Sequence, residues 1–350
     1  MRAIPSRARA SLPARGGLPA AVIAALVLLA SAPEARSAAN TGVAGASFLT
    51  LEQGSRGQGM GGAFTAVADD ANSVWWNPAG MARATWREVV ASHISFVEGI
   101  QSEFGAFVWP ISPSVGTIGG SFTYLTVPGI DGFDDAGRPA GPVTANGHAG
   151  SLAYARNIIS GVTAGANLKW YAQKLGGDLG DGFAADLGVQ WRRPGMGAGL
   201  TMRNIGDDVK LGGSKSPLPL TFRMGAFYDP HPKLTLSMEG EKPKEDNYIF
   251  HGGVEWKTSA VFTLRGGYTQ IKNLGAGAGY TLGLGYATAL GTAGGWAGGD
   301  TPWWEKKVED PDIPTPQDRP AGSYLLTLDY AYVTYGDLSD THRFTFGIKF

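Results

Sequence analysis

The stretch that decides the fold is the end of the chain, His342 to Phe350, which reads H-R-F-T-F-G-I-K-F. Apolar residues alternate strictly with polar or small ones, and the apolar positions are Phe344, Phe346, Ile348 and Phe350. Because successive side chains of a strand point to opposite faces, this alternation predicts a β-strand with one apolar and one polar face. Whether the strand belongs to a larger sheet depends on how often the rest of the chain repeats the pattern.

The same alternation recurs along the chain. Nine further segments carry it clearly: 162–169, 183–192, 196–203, 220–225, 234–241, 250–257, 262–268, 278–286 and 326–332. Four weaker candidates lie at 86–96, 101–109, 117–125 and 147–155. With the terminal strand they make 14 predicted strands, an even number of the kind that bacterial barrels have.

The predicted connections alternate in length. Every second one is short, as periplasmic turns are in outer-membrane barrels; these are 110–116, 156–161, 192–195, 229–233 and 258–260. The long ones include 126–147 and 204–218. One connection departs from this pattern, because 289–322 occupies a periplasmic position although it runs to about thirty residues, with five prolines and an acidic stretch.

Residues 1–39 read as a secretory signal peptide. Basic residues precede an apolar run, Ala20 to Ala30, that is too short to cross a bilayer as a helix. We expect cleavage after Ala39, although the small residues ending at Ala32 also fit. Removing 1–39 leaves 24 basic and 29 acidic side chains, a net charge of −5 that gives no support for nucleic-acid binding.

These patterns predict an all-β chain: a 14-stranded antiparallel transmembrane β-barrel over 86–350, with a short N-terminal helix-turn hatch or plug over 40–85. The alternative, a soluble β-sandwich, would not need an apolar face on nearly every strand with Trp or Tyr at the strand ends. The 53 glycines among 350 residues also suit tight turns and closely packed strands better than helices.

In a barrel the polar parity faces the lumen. Charges of both signs are interleaved there, which favours a crowded or plugged lumen, or an ordinary wet one, over a single-sign ion pore. The charged positions are Lys169, Asp186, Arg203, Arg223, Glu239, Glu241, Glu255, Lys257, Arg265, Asp329 and Arg343.

The segment before the first strand, 57–82, reads G-Q-G-M-G-G-A-F-T-A-V-A-D-D-A-N-S-V-W-W-N-P-A-G-M-A. Its G-x-G-x-x-G match lacks the βαβ unit and later acidic residue of a dinucleotide site, so we reject that interpretation. Apolar residues at helical spacing predict a short amphipathic helix over 63–74, and Asn77 to Gly80 predicts a turn. Asp69 and Asp70 could bind a cation with Asn72, but capping or solvation is the simpler role.

Three motifs resemble the PorV/PorQ family, within the broader superfamily of FadL-type long-chain fatty-acid transporters. They are G-M-G-G-A-F-T-A-V-A-D-D-A (59–71), W-N-P-A-G (76–80) and D-Y-A-Y…G-D-L…T-H-R-F (329–344). The resemblance implies a 14-strand outer-membrane barrel with a hatch inside it. The expected hatch or ligand residues are Gly57, Gly59, Gly61, Gly62, Phe64, Asp69, Asp70, Trp76, Asn77, Pro78, Ala79 and Gly80.

The terminal strand also resembles the C-terminal signature of bacterial outer-membrane barrels. Such a signature is read by the barrel assembly machinery, so Phe344, Phe346, Ile348 and Phe350 are the expected insertion signal. The expected location is the bacterial outer membrane, with its lipids as partners.

Three functions remain open at this point. The leading one is passive passage of hydrophobic, fatty-acid-like small molecules from the 126–147 and 204–218 loops past the hatch. A PorV-type component of type IX secretion would instead hold a secreted protein's C-terminal domain, with Trp303 and Trp304 as candidate anchors. The third is a general solute porin.

No feature of the sequence favours an enzyme or a cofactor. The five histidines are scattered, no metal-binding H-E-x-x-H motif occurs, and no cysteine is present to complete a metal site. We therefore expect no catalytic residues, no metal and no cofactor.

Overall fold

The computed structural model describes residues 44–133, 136–271, 277–290 and 324–350. Its strands within these ranges are β1 Glu88–Ser95, β2 Gln101–Ser112, β3 Gly116–Phe133, β4 Pro139–Ile159, β5 Val162–Leu175, β6 Asp178–Arg193, β7 Met196–Ile205, β8 Val209–Leu211, β9 Ser214–Ser216, β10 Thr221–His231, β11 Leu234–Pro243, β12 Ile249–Lys257, β13 Phe262–Thr269, β14 Tyr280–Leu290, β15 Tyr324–Thr334 and β16 Asp340–Lys349.

Fourteen of these strands form one closed antiparallel barrel, in which neighbours in sequence are neighbours in space. The closure pairs β1 with β16, so that Glu88 lies opposite Lys349 and Ser95 lies opposite His342. The remaining two strands, β8 and β9, pair with each other in a separate hairpin between β7 and β10. The predicted 14-stranded antiparallel barrel is therefore confirmed.

The two ends of the barrel differ in their connections. The short-turn end carries the turns 113–115, 160–161, 194–195, 232–233 and 258–261, and the barrel begins and ends there at Glu88 and Lys349. The long-loop end carries the connection 206–220, which contains the β8–β9 hairpin. β14 ends and β15 begins at the short-turn end, where Leu290 pairs with Tyr324.

The predicted loop over 126–147 is wrong. β3 and β4 continue through most of it, with Val127 paired to Ala145 and Gly132 paired to Gly141. The Gly and Pro residues that suggested a loop are accommodated at two register shifts in this hairpin, where the ladder is interrupted and then resumes. The predicted signal peptide and nearly all of the 289–322 connection lie outside the described residues.

The outer wall of the barrel is apolar. Along each strand one parity carries large hydrophobic side chains that face away from the barrel, while the other parity is buried inside. Examples of the exposed set are Phe122, Leu152, Leu168, Phe183, Leu187, Leu200, Leu236, Leu264, Leu282, Leu328, Phe344 and Phe346. The charged positions predicted for the lumen lie on the opposite parity, and most of them are buried.

Residues 44–87 fill the middle of the lumen. They contain the short helices α1 Ser55–Gly59 and α2 Ser73–Trp76 and the 3₁₀ turns Ser47–Thr50 and Pro78–Arg83; further 3₁₀ turns, Val97–Gly99 and Gly336–Leu338, lie between strands. No helix among the described residues is both long enough and apolar enough to cross a membrane. The segment is thus an internal body held by the wall, which we call the hatch.

The predicted helix over 63–74 is wrong. Most of it is turns, because barrel-wall and local side chains take the place of the helical carbonyl acceptors. The Thr65 N–H donates to Glu239 Oε2 (2.8 Å), and the Ala71 N–H donates to Glu88 Oε2 (3.1 Å). Only the end of the range, from Ser73, is helical.

Inward-facing glycines of the wall let the hatch approach it closely. A Cβ at Gly283 would lie 2.9 Å from Gly59 Cα, and one at Gly199 would lie 2.6 Å from the Thr65 carbonyl. A Cβ at Gly253 would likewise collide with Met60. The high Gly content therefore serves contact between hatch and wall as well as turns.

Gly253→Val tests this contact, with Gly252→Val as a matched control on the same strand. Gly252 faces outward, and a Cβ there meets nothing within 4 Å, whereas at Gly253 it would overlap the hatch. Overpacking of this kind costs about 1–3 kcal/mol. Gly253→Val should lower the thermal unfolding midpoint in detergent by several degrees and Gly252→Val should not. Equal midpoints for the two variants would contradict the close contact.

Candidate functional site

The hatch separates two cavities inside the barrel. The upper cavity, at the long-loop end, has a volume of about 750 Å³ and is lined by the beginning of the hatch, 44–51, and by β3, β4, β5, β8 and β9. The lower cavity, at the short-turn end, has a volume of about 350 Å³ and is lined by later hatch residues and by β12 to β16. The two cavities share no lining residue.

The upper cavity is mainly apolar. Its wall is made by aliphatic and aromatic side chains from several elements, with a few amides and one lysine among them. The apolar set includes Phe48, Leu51, Phe96, Ile100, Leu125 and Val127, and the polar set is Ser47, Thr50, Asn146, Gln173, Lys174 and Ser216. A concave apolar site with few polar groups is what a small hydrophobic ligand needs.

The floor of the upper cavity is a packed cluster. Phe48 and Leu49 are buried against Tyr171, Val209 and neighbouring small residues. The 206–220 connection also holds the start of the hatch, since the Gly45 N–H donates to the carbonyl of Pro217, just after β9 (2.9 Å). The floor therefore joins the hatch and a long loop in one apolar unit.

Below this floor lies an aromatic centre. Trp76 and Phe64, both predicted hatch residues, are fully buried and meet edge to face at 5.5 Å between ring centroids. The Arg203 guanidinium lies 3.5 Å from the centroid of the Trp75 ring, and that of Arg223 lies 4.8 Å from the Trp76 ring. These wall arginines stack on the hatch, which holds it by cation–π contact as well as by ion pairs.

The lower cavity is polar and charged. Arg56 of the hatch donates to Asp69 Oδ1 (2.6 Å) and Asp70 Oδ2 (3.0 Å) within the hatch, and to Glu255 Oε2 (2.9 Å) on β12. Glu255 in turn accepts from Arg265 (2.7 Å) on β13. This Arg56 network fastens the hatch to the barrel at the level of the lower cavity.

Asp69 and Asp70 are occupied by these contacts. Asp70 Oδ1 also accepts from the Asn72 N–H (2.9 Å), a local capping bond of the kind expected from the sequence. Partial burial would raise the pKa of the Asp69 carboxyl, but Arg56 and Arg192 hold that pKa well below its usual range. In the described part of the chain, no cluster of three or more His, Cys, Asp or Glu side chains could hold a metal ion.

The Asn77 to Gly80 turn is present, as predicted. The Gly80 N–H donates to the Asn77 carbonyl (2.9 Å), and the Asn77 side chain accepts from the Ala79 N–H (3.1 Å). Asn77 Nδ2 also donates to the Thr65 carbonyl (2.9 Å). Pro78 lies against β5, where a Cβ at Gly165 would come within 2.5 Å of its carbonyl carbon.

Four of the five predicted hatch glycines precede Phe64 and serve packing or turn conformation. Gly57 packs on the Trp76 ring, and Gly59 lies against Gly283 of β14. Gly61 and Gly62 have φ of 63° and 77°, a left-handed conformation that glycine adopts without strain. The Gly61 carbonyl accepts from Thr269 Oγ1 (2.6 Å) and from His251 Nδ1 (2.9 Å).

The predicted hatch segment begins at residue 40, but the predicted hatch or ligand residues begin only at Gly57, so the functional residues before it were missed. Phe48 and Leu51 line the upper cavity, and Glu52 and Arg56 form ion pairs with Arg223 and Glu255 of the wall. The sequence did offer a signal for Arg56. This arginine stands in a Gly-rich stretch and is followed thirteen and fourteen positions later by two possible ion-pair partners, Asp69 and Asp70. Its wall partner Glu255 could not be chosen among the lumen carboxylates without the fold.

The insertion-signal residues lie on the terminal strand. Phe344 and Phe346 are exposed on the outer wall, and Ile348 and Phe350 follow on the same parity at the short-turn end. Their role as a signal stays a prediction.

Glu255→Gln tests whether the Arg56 network holds the hatch. The chain has no Cys, so Ser73→Cys, a small change at a fully buried hatch position, gives one reporter thiol. Removing one partner of a buried ion pair costs about 3–5 kcal/mol, so Glu255→Gln should speed labelling of this thiol by a polar maleimide at least tenfold.

Lys257→Gln is the control, because Lys257 lines the same cavity from the same strand without an ion pair in the described part of the chain. Its labelling should match that of the parent protein. Slow labelling in Glu255→Gln as well would mean that other contacts hold the hatch.

Solved structures resemble the barrel. The toluene transporter TbuX of Ralstonia pickettii matches with a TM-score of 0.51 at 14% identity, over 86% of this chain and 98% of that one. The toluene transporter TodX of Pseudomonas putida matches with a TM-score of 0.51 at 10% identity, over 84% and 96%. At such low identity these likenesses bear on the fold alone, and membership of the PorV/PorQ family stays a prediction.

Sequence relatives identify the family. A UPF0164 protein of Treponema pallidum (strain Nichols) is 29% identical over 173 residues, which cover 45% of this chain and 43% of that protein. The chain spans about half the length of the curated relatives it matches. A model of the uncharacterised protein family UPF0164 matches residues 22–218, more than half of the 350 residues. The chain belongs to the family UPF0164.

Proposed function

We propose that this protein is a bacterial outer-membrane channel that captures small hydrophobic molecules at its long-loop end and lets them pass when the hatch moves. The observation that carries the proposal is the apolar upper cavity, closed below by Phe48 and Leu49. An apolar outer wall around a closed barrel supports a membrane location, because an outward-facing apolar band is typical of barrels that face lipid.

The substrate class follows from the size and lining of the cavity. A volume of about 750 Å³ accommodates a monoaromatic hydrocarbon or a medium-chain fatty acid. The solved toluene transporters have the same barrel fold, which adds support for a hydrophobic solute. Lys174 at the rim would suit a carboxylate, whereas the remaining lining suits a hydrocarbon.

The two other functions fit the interior less well. A general porin needs a continuous aqueous path, and here the hatch fills the middle of the barrel between the two cavities. A PorV-type secretion role rests on the motif resemblance at 59–71, 76–80 and 329–344. A secreted protein co-purifying in stoichiometric amount, with the upper cavity empty, would favour that role instead.

Leu125→Asp tests the upper cavity as the binding site. The side chain of Leu125 lines it, and a carboxylate there would place an unpaired charge in an apolar site. The matched control is Thr126→Asp, the next residue on the same strand, which faces outward and is exposed.

Binding of toluene and of decanoate to the purified protein should be measured by isothermal titration calorimetry. The parent protein and Thr126→Asp should bind at least one of the two, and Leu125→Asp should bind it at least tenfold more weakly. Binding that is equal in all three proteins would place the ligand elsewhere. No binding of either solute by the parent protein would contradict the proposed substrate class.

A further inference from the structure

The short-turn end of β1 to β6 exposes apolar side chains where turns are usually polar. Ile158 and Ile159, at the β4–β5 turn, are 56% and 66% exposed. Ile111 and Val115, at the β2–β3 turn, are also exposed, and the Tyr154 hydroxyl, on β4, bonds to the Val115 carbonyl. The two turns therefore lie side by side and form one apolar surface.

Three arginines accompany this surface on the outward-facing parity. Arg87, Arg156 and Arg193 are exposed at the short-turn ends of β1, β4 and β6. Along its strand, each arginine lies two residues closer to the short-turn end than an outward-facing apolar or aromatic side chain. These side chains are Val89, Tyr154 and Trp191, in the same order. We call these arginines and the four apolar turn residues the basic rim.

In the described part of the barrel, the guanidinium groups of the basic rim lack an acidic partner. Arg87 lies 4.3 Å from the centroid of the outward-facing Trp109 ring, and Arg156 Nε donates to the neighbouring Asn157 carbonyl (3.4 Å). Among the described residues, no carboxylate lies within ion-pair distance of any of the three arginines. The long-loop end differs, since Glu103 and Asp340 are exposed there on the outward parity.

The position of these arginines matches the level at which lipid phosphates lie. They stand on the outward-facing parity of the wall at its short-turn end, where long basic side chains can bring their charged groups to the interface of a bilayer. A guanidinium binds a phosphate through two parallel hydrogen bonds. The exposed isoleucine side chains beside them are suited to contact the acyl chains of the same lipids.

We propose that the basic rim binds the phosphates of anionic phospholipids in the leaflet on the short-turn side of the membrane. The inference rests on the membrane location in the proposed function, and it adds the lipid class and the residues that select it. β1, β4 and β6 are three and two strands apart, or about 15 and 10 Å at the usual strand spacing. This separation suits several headgroups in a leaflet rather than one polyphosphate ligand.

The test compares phosphatidylglycerol with phosphatidylcholine of identical acyl chains. Both are titrated onto the detergent-purified full chain, and retained lipids are counted by native mass spectrometry at low and at high salt. Each basic residue near an anionic surface contributes about fivefold to lipid binding. The ratio of phosphatidylglycerol to phosphatidylcholine binding should therefore fall at least tenfold in the triple variant Arg87→Gln, Arg156→Gln, Arg193→Gln.

A charge-matched control removes three cations from the long-loop end. Lys210→Gln, Lys215→Gln and Lys244→Gln, made together, change exposed residues on the β8–β9 hairpin and the β11–β12 connection. This variant should keep the preference of the parent protein, and high salt should weaken that preference. Inorganic phosphate at the same concentration should not displace the lipid.

Several results would overturn the proposal. They are an unchanged preference in the arginine variant, an equal loss in both triple variants, displacement by inorganic phosphate, or an acidic protein bound through the arginines in place of lipid. Insertion into vesicles, measured in parallel, separates this proposal from the proposed function. A protein that inserts without lipid preference contradicts only the basic rim, whereas failure to insert contradicts the membrane location itself.

Discussion

The structure depends on one constraint: charges that face the inside of a closed barrel need partners there. The wall alone does not neutralise them. Arg223 of β10 pairs with Glu239 (2.6 Å) and also reaches Glu52 of the hatch (2.7 Å), while Glu255 shares its carboxylate between Arg265 and Arg56. Because a buried charge without a partner is costly, the hatch is part of the barrel's interior rather than an insert in an open pore.

This constraint also explains the difference between the two cavities. Charged hatch residues such as Arg56 and Asp69 line the lower cavity, and the apolar residues that begin the hatch line the upper one. A hydrophobic solute is therefore favoured on the long-loop side of the hatch and disfavoured beyond it. Passage to the short-turn side requires either movement of the hatch or another exit, and the ion pairs of the Arg56 network determine how readily the hatch moves.

The strands of the barrel could be predicted from the sequence, whereas the contacts inside it could not. Period-two alternation is a local property, so all 14 barrel strands could be located, and so could the lumen parity of residues such as Lys169 and Arg343. The hatch is organised by contacts between residues far apart in the chain, such as Thr65 with Glu239. Helical spacing over 63–74 was misleading, because the bonds that fix this stretch come from the wall. The 126–147 hairpin was missed since Gly and Pro are common in loops, yet the ladder here resumes after each register shift.

The most direct test of the closed interior is single-channel conductance of the purified protein in planar bilayers, with and without residues 44–84 of the hatch. If the hatch blocks the lumen, the full-length protein should show no large steady openings, and the deletion variant should show them. Large steady openings in the full-length protein would contradict a hatch that separates the two cavities. They would make the protein a general porin.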